Sequence, residues 1–370
     1  MGWSCKSGPI VETINGPVEG STMQTLGGKT VFAFRGVPYA RPPLAELRFK
    51  KPEPVLAWTQ NLNCKKEPSK SLQPFALAPE CLLLAEGGED CLYLSVFTKS
   101  PPGQESDLLP VVVYLPHGAF QLCSIESDLY GPQVLLDHDV VLVGVNYRVG
   151  PLGWLSLGCD EAPGNLGLWD QQMALVWVQN NIAAFGGDPK RVTLMGESAG
   201  AMSAMLHMVA PPSKGLFHRV VALSGTPSNL ILKQSRRPEV FGKVLAEKFG
   251  CSKDADNLAR LKKLQEAKAT EILKNGFMFK DWDNTTPLPW VPVDDSGLTE
   301  PFLPLNFWDA VKAGRVEKVP ILMACCKDEG LILSAPFHRY HYWYLSTCHQ
   351  PLQRQKNNSN KWQIKVPEPG

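Results

Sequence analysis

Apolar residues change their spacing several times along the chain, and these changes predict strands that alternate with helices. Continuous apolar runs at residues 111–115 and 140–145 are typical of parallel strands that are covered on both faces. Between residues 165 and 185 apolar side chains recur at helical spacing instead, and the Gly-Gly-Asp-Pro run that begins at Gly186 provides a helix stop. This alternation predicts an α/β fold with a mostly parallel central sheet flanked by helices.

Further segments extend the alternation toward both ends of the chain. The other predicted strands cover residues 30–34, 92–97, 191–196, 219–224 and 319–325, and the other predicted helices cover 199–209 and a charged tract at 236–275. Near its end the sequence becomes polar and loses its periodicity, which predicts a disordered tail. We therefore expect one domain over residues 1–345 and a tail over residues 346–370.

The composition is that of an ordinary globular protein, with 44% hydrophobic and 20% charged residues in a chain of 370. Lys and Arg number 37 against 36 Asp and Glu, so no basic surplus favours nucleic acid as a partner. No apolar stretch is long enough for a transmembrane segment, and the first residues lack the apolar region of a secretory signal. None of the ten cysteines forms a Cys-x-x-Cys pair, so we expect no zinc site, and we predict no metal and no cofactor.

A candidate nucleophile lies between a predicted strand and a predicted helix. Residues 196–200 read Gly-Glu-Ser-Ala-Gly, which matches the Gly-x-Ser-x-Gly pattern. In this pattern a sharp turn exposes the serine hydroxyl at a helix N-terminus, where the backbone dipole favours developing negative charge. Ser198 is thus the candidate nucleophile, and the alternative is a Gly-rich turn without chemistry.

A loop of small residues after the strand at 111–115 could stabilise an oxyanion. Residues 115–120 read Leu-Pro-His-Gly-Ala-Phe, and such a loop can direct backbone N–H groups at a tetrahedral oxygen. Gly118 and Ala119, together with Ala199 after the candidate nucleophile, are the predicted oxyanion-hole donors. An ordinary connecting loop remains the alternative.

Several sequence blocks, in order, resemble the type-B carboxylesterase family, the α/β-hydrolases that include the cholinesterases. They include Phe-Arg-Gly-Val-Pro-Tyr-Ala from Phe34, Glu-Asp-Cys-Leu-Tyr-Leu from Glu89, Gly-Asn-Leu-Gly-Leu-Trp-Asp from Gly164, and the Gly-Glu-Ser-Ala-Gly block itself. The likeness runs from about residue 8 to about residue 335. It implies an α/β-hydrolase fold whose C-terminal part is missing, and small-molecule esters as substrates.

The resemblance also implies roles for individual residues. Ser198 would be the nucleophile and Glu329 the acid of the catalytic triad, while Cys64 and Cys91 would form a disulfide. The family's structural ion pairs would be Arg35 with Glu89, and Arg148 with Asp170.

Two departures from the family pattern bear on activity. His117 stands where the family's oxyanion loop has its first glycine, and its imidazole is expected to crowd the loop or to change its turn. The triad histidine should follow the acid in the chain, where His338, His341 and His349 are the candidates. Two of these three lie in an aromatic-rich run that is more typical of packing, so a triad histidine is not evident.

Two functions remain open on this basis. The chain is either a serine carboxylic-ester hydrolase that acts through an acyl-enzyme on Ser198, with activity impaired for want of the histidine, or a catalytically silent carboxylesterase-like protein that binds ligands or a protein partner. The compartment is also open, because the missing signal favours the cytoplasm whereas the resemblance favours secretion or the endoplasmic reticulum.

Overall fold

The computed structural model describes residues 8–75, 84–100, 108–227, 238–277 and 290–329, and the backbone of residues 354–356 and 362–364. It divides the chain into a larger unit, Met1–Ala324, and a smaller unit, Cys325–Gly370. The larger unit contains the central sheet and the helices.

The strands of the described residues are mostly short, and the longest of them carries the candidate nucleophile at its end. In chain order they are β1 (Ile10–Thr13), β2 (Gly16–Glu19), β3 (Ser21–Gln24), β4 (Thr30–Pro38), β5 (Leu62–Asn63), β6 (Gln73–Pro74), β7 (Ala85–Glu86), β8 (Tyr93–Thr98), β9 (Leu109–Leu115), β10 (Val141–Val145), β11 (Ser156–Cys159), β12 (Ala162–Pro163), β13 (Gly187–Glu197), β14 (Arg219–Leu223), β15 (Ile321–Ala324), β16 (Arg354–Lys356) and β17 (Trp362–Ile364).

The helices of the described residues fall between or after these strands. They are α1 (Ser127–Tyr130), α2 (Gly150–Trp154), α3 (Leu166–Asn181), α4 (Ala199–His207), α5 (Pro238–Lys248), α6 (Asn257–Glu266), α7 (Ala269–Gly276) and α8 (Phe307–Lys312). The charged tract predicted at 236–275 is therefore three helices. One break falls at Asp256, whose carboxylate caps α6 by accepting a hydrogen bond from the Ala259 backbone N–H at 2.7 Å.

An eight-stranded mixed sheet forms the centre of the larger unit, in the order β15-β14-β13-β9-β10-β8-β4-β3. The five strands from β15 to β10 are parallel to one another, while β8, β4 and β3 join antiparallel. The prediction of a mostly parallel central sheet flanked by helices is thereby confirmed. The apolar run at 140–145 is also explained, because every residue of β10 is buried.

The edge of the sheet at β15 differs from its centre. All four residues of β15 are exposed, among them Ile321, Leu322 and Met323. In contrast, the inward-facing valines of β9, Val111 and Val113, are fully buried. The core of the larger unit is therefore centred on β9, β10 and β13.

The structure confirms one of the two ion pairs that the resemblance implied and corrects the other. Arg148 donates to both oxygens of Asp170, at 2.8 and 2.6 Å, and both side chains are buried. Arg35, however, pairs with Glu67 at 3.2 Å rather than with Glu89. Glu89 instead pairs with Arg48 at 2.6 Å, and Arg48 also donates to backbone carbonyls at the end of α6. The guanidinium of Arg48 therefore fills the place that was predicted for Arg35.

The implied disulfide is also corrected, because Cys64 and Cys91 are both free thiols. The Cys64 thiol is directed at the Gly36 carbonyl, 3.8 Å away, and Cys91 hydrogen-bonds the Ser71 hydroxyl. Burial raises the pKa of each thiol to about 12, so both remain protonated at neutral pH.

The smaller unit contains β16 and β17, which pair antiparallel and fall within the predicted tail. The rest of residues 346–370 lies outside the described residues.

The buried Arg148–Asp170 pair predicts a large loss of stability on truncation. Arg148→Ala leaves the Asp170 carboxylate buried without its cation, which should lower the free energy of unfolding by about 3–5 kcal/mol. The matched control is Arg191→Ala. The Arg191 side chain is 45% exposed in its pair with Asp188, so its removal should lower the free energy of unfolding by less than about 1 kcal/mol. Urea unfolding of both variants measures the difference, and equal losses would contradict the assignment.

Candidate functional site

Ser198 lies at a sharp turn between β13 and α4, the strand–turn–helix arrangement in which a nucleophilic serine is expected. Its backbone has φ 52° and ψ −115°, a conformation that L-residues adopt only at a cost of order 1–3 kcal/mol. The residue is half-buried, and the carbonyl of Leu223 accepts a hydrogen bond from its backbone N–H at 2.8 Å. The serine is therefore held at the end of the sheet and still accessible to solvent.

The glycines on either side of Ser198 are required by close backbone contacts. A Cβ at Gly196 would lie 2.1 Å from the carbonyl carbon of Gly200, and a Cβ at Gly200 would lie 2.0 Å from the carbonyl oxygen of Leu115. No side chain fits at either distance, because the contacts are to backbone atoms that cannot move aside. The Gly-x-Ser-x-Gly spacing thus lets the helix start pack directly against the end of β9.

Sheet register brings the predicted oxyanion loop to the same place. β13 pairs parallel with β9, and Gly196 lies opposite Leu115. Since parallel strands end at the same edge of a sheet, the chain leaves β13 toward Ser198 beside the point where it leaves β9 toward Gly118. The predicted nucleophile and the predicted donor loop are therefore neighbours.

The loop itself turns sharply through three residues with positive φ. These are Gly118 at 131°, Ala119 at 54° and Phe120 at 66°. The turn is held by Phe120, whose carbonyl accepts hydrogen bonds from the indole Nε1 of Trp154 and the backbone N–H of Gly150, both at 2.8 Å. A fixed loop of this kind keeps its N–H groups in place without reorganisation.

The backbone N–H groups of Gly118, Ala119 and Ala199 share one property. Within the described part of the chain, none of the three has a hydrogen-bond acceptor. Unpaired N–H groups at a helix start and a neighbouring loop are the arrangement that binds an anionic oxygen.

His117 takes part in contacts that the sequence did not predict. Its Nδ1 lies 3.2 Å from the Glu197 carboxylate, and its Nε2 lies 3.2 Å from the phenolic oxygen of Tyr130. The imidazole therefore links the loop to the residue before Ser198. The three residues that follow His117 form a turn with positive φ, and the expected effect of the side chain on that turn stays a prediction.

The remaining residues predicted for the catalytic triad are Glu329 and one of three histidines. Glu329 is in the smaller unit, where its carboxylate accepts a hydrogen bond from the Cys326 backbone N–H at 2.8 Å. His338, His341 and His349 lie outside the described residues. Among the residues that are described, no side chain hydrogen-bonds the Ser198 hydroxyl, so the catalytic base is not identified by geometry.

A buried histidine supports the helix behind Ser198. His207, the last residue of α4, is hydrogen-bonded through Nδ1 to Ser213 at 2.7 Å and through Nε2 to Gln171 of α3 at 3.0 Å. Burial lowers the pKa of His207 to about 3, so the ring is neutral at physiological pH. The network fixes α4 against α3 and is structural.

The residues that the structure describes contain neither a metal-ligand cluster nor a membrane-spanning helix. They contain no group of three or more His, Cys, Asp or Glu side chains that could hold a metal ion. None of their helices is long and apolar enough to span a bilayer.

A model of the carboxylesterase family matches residues 7–364. The chain belongs to the carboxylesterase family. Its fold is accordingly the α/β-hydrolase fold, and the mixed sheet described above is its central sheet.

The chain is also similar to individual proteins that are named as esterases. The chain is 37% identical over 363 residues to a juvenile hormone esterase of Tribolium castaneum, in an alignment covering 96% of this chain and 59% of the relative. It is 39% identical over 342 residues to a cholinesterase of Mus musculus, covering 88% of this chain and 55% of the relative. An esterase FE4 of Myzus persicae is 36% identical over 342 residues, covering 90% of this chain and 57% of the relative. The chain thus spans a little over half the length of these relatives.

The neutral His207 predicts a pH-dependent stability. Below pH 6.5 the unfolded state takes up a proton that the folded state accepts only near pH 3, so the free energy of unfolding falls as the pH falls between these values. The contribution is complete above pH 6.5 and decreases by up to about 1.4 kcal/mol per pH unit below it. Urea unfolding at several values from pH 7 to pH 4 should show a steeper decline in the parent chain than in His207→Gln. Parallel declines would contradict the assignment.

Proposed function

We propose that this chain is a serine carboxylic-ester hydrolase that forms an acyl-enzyme on Ser198. The observation that carries the proposal is the strained, accessible serine beside three backbone N–H groups that have no acceptor among the described residues. Membership of the carboxylesterase family and similarity to proteins named as esterases support the same chemistry.

The first chemical step assigns a role to each part of the site. The Ser198 oxygen attacks the ester carbonyl, and the resulting oxyanion accepts hydrogen bonds from the N–H groups of Gly118, Ala119 and Ala199. The alcohol then leaves, and water hydrolyses the acyl group from Ser198. By its similarity to the family acid, Glu329 would orient the base that takes the serine proton.

No described residue is assigned as the base of this mechanism. His117 lies in the loop itself, but both of its ring nitrogens are in contact with other side chains, Glu197 and Tyr130. We therefore propose that turnover is impaired. Loss of the base in a Ser-His-acid unit lowers the turnover rate about a millionfold. A rate enhancement of about 10³–10⁴-fold over the reaction in water remains, and it comes from the oxyanion hole and substrate binding.

The proposed substrate class rests on the ester chemistry of the site and not on residues that line a substrate pocket. We propose carboxylic esters with apolar acyl or alcohol parts. Relatives named as a juvenile hormone esterase and a cholinesterase indicate that this scaffold accommodates more than one kind of ester.

A second candidate function is a catalytically silent protein that binds a ligand or a protein partner. It is favoured by one observation, namely that no described side chain hydrogen-bonds the Ser198 hydroxyl. The two functions differ in whether Ser198 reacts.

Covalent labelling tests the proposed function. The purified chain should react with a fluorophosphonate probe to give an adduct on the peptide containing residue 198, and Ser198→Ala should give no adduct at that position. Mass spectrometry of the digest locates the adduct, and circular dichroism confirms that the variant is folded. A Ser198 peptide that stays unlabelled in the folded chain would leave the binding function standing.

A separate variant tests the oxyanion hole. A Cβ at Gly118, where φ is 131°, would lie 2.2 Å from the carbonyl oxygen of Leu122, so Gly118→Ala must shift the loop. Displacing one donor should lower the labelling rate at Ser198 by about 10²–10³-fold. Gly297→Ala is the control, because an added Cβ there meets no atom within 4 Å. Unchanged labelling in a folded Gly118→Ala chain would exclude this loop from the reaction.

A further inference from the structure

Three side chains beside Ser198 form a hydrogen-bonded chain that the proposed mechanism does not use. We call Glu197, His117 and Tyr130 the His117 cluster. Glu197 is the residue before the candidate nucleophile, His117 lies in the oxyanion loop, and Tyr130 ends α1. The imidazole is in the middle, at 3.2 Å from each of its two partners.

The donors and acceptors of the His117 cluster follow from the chemistry of each group. A carboxylate only accepts hydrogen bonds, so the Nδ1 of His117 carries a proton and donates to Glu197. In the tautomer with its single proton on Nδ1, Nε2 accepts a hydrogen bond from the Tyr130 phenol, and this is the form that can act as a base. This order of carboxylate, imidazole and hydroxyl is the order found in nucleophilic triads.

The surroundings of Tyr130 keep its hydroxyl protonated but accessible. Burial and the Glu197 carboxylate raise the pKa of the phenol, with a further contribution from Glu126 and an opposing one from Lys70. The ring is held between His117 and Tyr114, at centroid distances of 5.5 and 5.6 Å. The side chains of His117 and Glu197 remain 42% and 47% exposed, so a small reagent can reach the cluster.

We propose that Tyr130 is a second acyl-accepting nucleophile, with His117 as its general base and Glu197 as the residue that orients the imidazole. The inference does not depend on Ser198, because the cluster contains its own hydroxyl, base and carboxylate.

The step balances without any further reactant. The Tyr130 oxygen attacks the ester carbonyl while the Nε2 of His117 takes the phenolic proton, and a new oxygen–acyl bond forms. The bond to the leaving oxygen then breaks, and the imidazolium returns its proton to that oxygen. The products are an acyl ester of Tyr130 and the free alcohol or phenol.

The chemistry of a phenol limits which esters can react. A phenol is a better leaving group than an alkyl alcohol, so transfer from an alkyl ester to Tyr130 is unfavourable. The substrate class is therefore activated acyl esters, such as aryl esters, whose leaving group is at least as good as the phenol.

The experiment uses the full chain with Ser198→Ala, so that acylation of the serine cannot contribute. The protein is mixed with p-nitrophenyl acetate, quenched in acid at short times and mapped by peptide mass spectrometry. Tyr114 is the internal reference, because it is a half-buried tyrosine in contact with Tyr130 that has no imidazole hydrogen bond among the described residues. We expect acetyl-Tyr130 to form at least 100-fold faster than acetyl-Tyr114, since general base catalysis contributes about 10²–10⁴-fold.

Variants of the cluster test the assigned roles in the same Ser198→Ala background. Tyr130→Phe should abolish the adduct, and His117→Phe, which keeps an aromatic ring against Tyr130, should lower its rate about 100-fold. Glu197→Ala should lower the acylation rate, and Glu197→Gln, whose amide oxygen still accepts a hydrogen bond from Nδ1 of His117, should restore part of it, a rescue that a merely structural role of Glu197 would not give. His138→Phe, which changes an exposed histidine outside the cluster, should leave the rate unchanged.

The proposal is overturned if Tyr130 is acetylated no faster than Tyr114 in the folded Ser198→Ala chain, a comparison that needs no further variant. It is also overturned if a folded His117→Phe chain keeps the parent rate at Tyr130, in which case the cluster only ties the loop to the nucleophile turn. Neither result bears on Ser198, whose reactivity is measured separately in the unmodified chain.

Discussion

The parallel pairing of β13 with β9 is the constraint on which the rest of the site depends. With Gly196 opposite Leu115, the two chains leave the sheet side by side, and the carbonyl of Leu115 comes within 2.0 Å of where a Cβ of Gly200 would be. A side chain at that position would push the helix start away from β9. The register of these two neighbouring strands therefore decides whether a serine and a set of backbone N–H groups can meet at one point.

Much of this arrangement could be predicted from the sequence, because it depends on local pattern. Continuous apolar runs predicted β9 and β10, and the Gly-x-Ser-x-Gly spacing predicted the turn at Ser198. Both patterns depend only on residues that are close together in the sequence. The family resemblance also identified the buried Arg148–Asp170 pair. The resemblance implied the wrong partner for Glu89, because choosing between Arg35 and Arg48 requires knowing how distant segments pack. Arg48 is held beside Glu89 by its hydrogen bond to a backbone carbonyl at the end of α6.

The His117 cluster shows why the rest could not be predicted. His117 stands where the family has glycine, and the sequence alone indicates only the strain that a side chain there adds to the loop. Its partner Tyr130 comes from a separate short helix, and nothing in the spacing of the sequence brings the two together. The direction of the imidazole, toward Glu197 and Tyr130, depends on packing between distant segments and so is known only from the structure.

The strain in the site argues that its shape does not depend on which residue acts as the base. Ser198, Ala119 and Phe120 all have positive φ, and each such residue costs of order 1–3 kcal/mol unless its surroundings impose it. Here the surroundings are the buried strand β10, the buried residues of β9 and the indole of Trp154, which are part of the core. The oxyanion loop and the serine turn are thus maintained by the same packing that stabilises the fold, so they persist whether or not a base completes them. A hydroxyl placed beside this loop, on Ser198 or on Tyr130, would then react according to its own chemistry and to the base that contacts it.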